Sequence, residues 1–145
     1  MSEIYIKFSS FYIFTYNEFS DYEYINEILN KAIDMTCNPI KQSEAYRALL
    51  KLNRILNKGL DKEIFYLEKI IEENYADLDS TLELAIALDK RNNIGDLEKC
   101  INLLKSTIEI NVEAAKELII NYNNKGEFNN LTVSEFVDDF YKLLK

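Results

Sequence analysis

Residues that stop a helix are almost missing from this chain: proline occurs once, at Pro39, and glycine three times, at Gly59, Gly95 and Gly126. A chain so free of breakers runs helical between them, because glycine and proline are the residues whose cost inside a helix is largest. All three glycines share a local setting, with an asparagine two positions before: Asn57-Lys58-Gly59, Asn93-Ile94-Gly95 and Asn124-Lys125-Gly126. Glycine just after a helix supplies the left-handed backbone that closes it, and each motif therefore predicts the turn of a helical hairpin.

Apolar residues between the turns recur at helical spacing. The stripes are Ile25, Ile28, Leu29, Ala32; Leu49, Leu52, Ile55, Leu56; Leu97, Cys100, Ile101, Leu104, Ile108; and Phe136, Val137, Phe140, Leu143, Leu144. Spacing of three and four puts each set on one face, which a helix buries. Ser20 with Glu23, Ser80 with Glu83 and Thr132 with Glu135 have the spacing of a capping box, a start signal. These signals predict helices over 20–36, 42–57, 61–75, 80–93, 96–110, 112–124 and 133–144. The fold class is all-α, stacked helical hairpins of about seven helices. At 145 residues one domain accommodates them: an aromatic segment with the first helix over 1–41, hairpin repeats over 42–131, and a capping helix over 132–145.

The first nineteen residues fit two descriptions. Ile4, Ile6 and Phe8 alternate as in a strand, whereas Ile4, Phe8, Phe11 and Tyr12 have helical spacing. Tyr5, Phe8, Phe11, Tyr12, Phe14, Tyr16, Phe19, Tyr22 and Tyr24 crowd into the first 24 positions. Such a crowd packs a core or presents a binding hot spot, with Phe11 and Tyr12 as the contacts.

The glycine turns are 36 and 31 residues apart, a period found in helical-hairpin arrays. Eleven residues before each glycine stands Ala48, Leu84 or Ala115, and an acid follows within two, Asp61, Asp96 or Glu127. The middle unit, Leu84-Ala85-Ile86-Ala87-Leu88, Gly95-Asp96-Leu97, Cys100-Ile101, Leu103-Leu104 and Thr107-Ile108-Glu109-Ile110-Asn111, resembles a tetratricopeptide repeat. The first and third units keep less of the pattern. Lys51 stands where that family is apolar, Arg91 where an aromatic is usual, and Val112 where proline is common. The resemblance implies a concave groove lined by Tyr46, Leu49, Asn53 and Leu56, then Leu82, Ala85, Asp89 and Asn92, then Glu113, Lys116, Ile120 and Asn123. A non-repetitive helical bundle whose turns share Asn-x-Gly remains an alternative, with the same fold class.

Charge bears on the partner. The net charge of −8 is made of −4 over residues 1–36, +4 over 41–62 and −8 over 63–145. Such an acidic chain repels nucleic acid and draws a basic protein from a distance; the same charge also serves solubility. The basic block carries Lys51, Arg54, Lys58 and Lys62 along one helix face, a spacing that suits pairing with acids of a neighbouring helix as well as an interface.

Histidine is absent, so the usual acid–base catalyst and the commonest nitrogen ligand are missing. The scattered glycines form no phosphate loop, and acid pairs such as Glu72-Glu73 and Asp138-Asp139 lack the spacing of a calcium loop. Cys37 and Cys100 stand alone, which suits a reducing cytoplasm. No apolar run approaches the ~20 residues of a membrane span. The expectation is a non-enzymatic, cytoplasmic, protein-binding chain without cofactor, metal, nucleic-acid or membrane contact. A small acidic inhibitor, such as an immunity protein that neutralises a toxin, fits this description; a phage-encoded inhibitor of a host enzyme and a self-associating adaptor are the alternatives.

Overall fold

The computed structural model describes residues 6, 19–73, 77–128 and 130–143. Among them are seven α-helices: α1 (Phe19–Met35), α2 (Pro39–Leu56), α3 (Leu60–Glu73), α4 (Leu78–Arg91), α5 (Asp96–Ile110), α6 (Val112–Asn124) and α7 (Leu131–Leu143). The all-α expectation holds, and every helix lies within a few residues of its predicted span. Of the amino-terminal segment, Ile6 is helical and buried. The chain divides into two compact units, Met1–Asn74 and Tyr75–Lys145.

In the first unit α2 packs against both α1 and α3. Helix α1 buries Tyr22, Ile25, Leu29 and Ala32, a 3–4–3 stripe, while Tyr24 on another face is exposed. Helix α2 begins earlier than the apolar pattern suggests because Asn38 caps it: the Asn38 Oδ1 accepts from the amides of Ile40 at 3.0 Å and Lys41 at 3.4 Å. Pro39 fits at the first helical position, where its missing N–H costs nothing. Ala45, Ala48, Leu49 and Leu52 face inward, met by Ile64, Leu67 and Ile70 of α3. Each buried leucine or isoleucine stabilises the unit by roughly 1.5–3 kcal/mol relative to exposure.

The second unit is organised around α4, where Ser80, Thr81, Leu82 and the whole run from Leu84 to Asp89 are buried. A helix with so little exposed surface has neighbours on several sides, and α4 contacts α5 and α6. Cys100, Leu104 and Thr107 are the inward positions of α5, and Ala115 with Ile119 those of α6. Helix α7 contributes Val133 and Val137 and packs on α5 and α6.

The capping-box expectation is corrected at all three starts. Asp77 caps α4, accepting from the Ser80 amide at 3.1 Å and from the Ser80 hydroxyl at 2.8 Å, so Ser80, the third residue of the helix, is a partner of the cap. Asn130 caps α7, accepting from the Thr132 amide at 2.9 Å. Helix α1 is already formed at Phe19, before Ser20. Asparagine and aspartate outcompete a nearby hydroxyl at this position because their carbonyl oxygen reaches amides two and three residues on.

Two of the three glycine turns also differ from expectation. Asn57 (φ 51°, ψ 49°) and Asn92 (φ 51°, ψ 41°) are the left-handed residues that end α2 and α4. Gly59 (φ 98°) and Gly95 (φ 86°) then lead into α3 and α5. Asparagine can take the left-handed conformation because its short polar side chain tolerates it. At Gly126 (φ 70°) the expectation holds: its amide reaches the Asn123 carbonyl at 3.0 Å and the next amide, of Glu127, reaches Tyr122 at 3.1 Å.

Candidate protein-binding surfaces

The basic stripe is held by the protein itself. Arg54 donates from Nε and Nη2 to Glu63 Oε1 on α3, at 3.1 and 2.8 Å. Lys58 Nζ reaches Glu23 Oε1 on α1 at 2.6 Å, and this hydrogen bond and charge hold the Glu23 carboxyl below its ordinary range. The alternative of pairing with acids on neighbouring helices is the one observed for these two cations.

Of the twelve groove positions implied by the tetratricopeptide resemblance, Tyr46, Leu49, Asn53 and Leu56 belong to the first unit. Tyr46 is half-buried among aromatic rings, with centroids 6.5 Å from Phe65 and 6.4 Å from Tyr66. Phe65 and Tyr66 stand 5.7 Å apart, edge to face, and Lys69 lies 5.8 Å above the exposed Phe65 ring. Burial pushes the Tyr66 hydroxyl above its usual pKa. Asn53 is buried, and its Nδ2 donates to the Gly59 carbonyl at 3.2 Å, tying α2 to its own turn.

Asp89, Asn92, Lys116 and Asn123 belong to the second unit. Asp89 is only 5 % exposed, and both its oxygens lie 3.2 Å from the amide of Asn130. Its carboxylate anchors the start of α7 and is not offered to solvent. Asn92 is exposed and serves as the left-handed end of α4. The Asn123 carbonyl takes part in the Gly126 turn. Lys116 is half-buried on α6, where Asn111, Glu113, Ala114, Glu117 and Ile120 join it along an open concavity of about 560 Å³. Glu113, Lys116 and Ile120, three of the four groove positions expected on this helix, thus share one surface. Phe11 and Tyr12 lie outside the described residues.

The strongest polar cluster was not legible as a site. Asp96 accepts from Arg91 Nε at 2.8 Å, from Arg91 Nη2 at 2.7 Å and from the Asn93 amide at 2.9 Å, around the α4–α5 turn. These donors hold the Asp96 carboxyl below its ordinary range despite its burial. Arg91, which departs from the tetratricopeptide pattern, thus does the work of joining two helices. Its spacing of five from Asp96 across a glycine turn was the available signal.

Burial, with a smaller contribution from the Asp89 charge, pushes the Cys100 thiol up to about 12, so it stays protonated and unreactive near neutrality. Cys37 is exposed between α1 and α2. Among the described residues no three His, Cys, Asp or Glu side chains gather as metal ligands would, and no helix is long and apolar enough to cross a membrane. No family model, curated protein or solved structure matches the chain.

Proposed function

We propose that this chain is a non-enzymatic protein-binding protein that engages a basic partner, in the manner of a small acidic inhibitor such as an immunity protein. The observation that carries this reading is the open concavity on α6, where Glu113 and Glu117, with Lys116 between them, leave a local excess of one acid beside Ile120 in a chain of net charge −8. Carboxylates next to an apolar side chain suit a basic segment that also has an aliphatic stem, as lysine and arginine do. Internal pairing of Arg54 with Glu63 and of Lys58 with Glu23 is compatible with this reading, since it leaves these two cations engaged within the protein and the net charge unchanged.

A tetratricopeptide-like origin for the hairpins is part of the proposal. Ala48, Leu84 and Ala115, each eleven residues before a glycine, are all buried, as equivalent positions of a repeat would be. The small Cys100 is likewise fully buried, where that family places a small residue.

The test is binding kinetics of a Glu113→Lys, Glu117→Lys variant against the partner recovered by pull-down from the native host. The expected outcome is an association rate lower by about tenfold, within the range that interface charges command. Unchanged kinetics would remove α6 from the interface.

A further inference from the structure

Asn53 carries a polar atom that the protein does not satisfy. Its residue is only 5 % exposed, and its Oδ1 is fully buried without a hydrogen-bond partner. Turning the amide over does not relieve this, because Nδ2 donates to the Gly59 carbonyl and a flip would set two oxygens face to face. A buried acceptor left unmatched keeps the full cost of its lost hydration. Native proteins resolve such a cost with a partner that is small enough to fit.

Beside Asn53 lies a cavity of about 30 Å³, within the first unit. Its walls bring together Glu23 and Asn26 of α1, Asn53 of α2, Lys58 of the turn, and Lys62 and Tyr66 of α3. A single water needs roughly 10–15 Å³ and two to four polar partners; the cavity has the volume, and polar side chains stand on its walls. A metal cation is opposed by the two lysine ammonium groups on the same wall. A neutral donor of the size of water satisfies an orphan oxygen without adding charge.

We infer that this cavity is a binding site for one internal water molecule, which donates to Asn53 Oδ1 and links α1, α2 and α3. This goes beyond the protein-binding proposal and is independent of it. Asn53 is then a ligand of a structural water, and its side chain serves the interior of the unit.

The test uses the full-length protein. In a high-resolution crystal structure, a water within hydrogen-bond distance of Asn53 Oδ1 is the expected result. Oxygen-17 relaxation dispersion in solution should count one long-lived water fewer in Asn53→Leu than in the wild type. An Oδ1 paired with a protein donor in the crystal, or a cavity without solvent density, would overturn the inference. So would an unchanged water count in a folded Asn53→Leu; if that variant does not fold, the wild-type crystal decides alone.

Discussion

At the scale of single residues, Asp96 shows how one carboxylate stabilises a turn. Its folded-state pKa is depressed by the Arg91 hydrogen bonds, so its contribution is full above the ordinary carboxylate range and is lost as pH falls through the lower, folded value. Acid should therefore weaken the protein, and Asp96→Asn should flatten that dependence below about pH 4 while lowering stability at neutral pH by about 1–2 kcal/mol. Urea unfolding of both proteins from pH 3 to pH 7 checks this. Asp89 calls for a similar trial: Asp89→Ala strips the Asn130 amide of its acceptor and should destabilise by about 1–3 kcal/mol, whereas exposed Asp138→Ala should change stability little. The two cysteines separate by burial. A thiol reagent should label Cys37 in the folded protein and reach Cys100 only on unfolding; rapid labelling of both would contradict the packing of α5.

At the scale of elements, the turns decide where helices end. Gly95 has φ 86°, and a Cβ built there would meet nothing within 4 Å, so substitution acts through the backbone alone. Gly95→Val should destabilise by roughly 1–2 kcal/mol and Gly95→Asn by less, since asparagine visits that region more readily. Equal melting temperatures for Val and Gly would mean the turn is built otherwise. Helix existence was legible in the sequence because breakers are few and apolar spacing is regular. The stripes are buried at Ile25, Leu29 and Ala32 and at Cys100 and Leu104, while Ile28, Leu97, Ile101 and Ile108 at their edges are half-buried. Helix starts were less legible: asparagine and aspartate are common in this chain, and a hydroxyl three residues before a glutamate looks like a cap even when an Asx residue just upstream has taken that role. The same ambiguity hid Asn57 and Asn92 behind the more conspicuous glycines. Asp89 misled for a different reason, since periodicity places a residue on a face but does not say which face a later segment covers. The 41-residue separation between Asp89 and Asn130 leaves no local trace.

For the whole molecule, the governing property is charge. Ion pairs such as Lys58 with Glu23 and Lys90 with Glu127, at 2.6 and 3.1 Å, neutralise charges one for one, so the net charge of −8 comes from acids in excess of the cations. Long-range attraction by this excess raises encounter rates and is screened by salt, with a Debye length that shortens from about 10 Å at 0.1 M to about 3 Å at 1 M. Contacts made after docking are screened far less. The decisive measurement is the association rate with the host partner at low and high ionic strength. That rate should fall steeply as salt rises while the dissociation rate changes little. An association rate indifferent to salt, together with loss of binding on replacing Phe11 or Tyr12 by alanine, would contradict this and move the interface to the aromatic amino terminus.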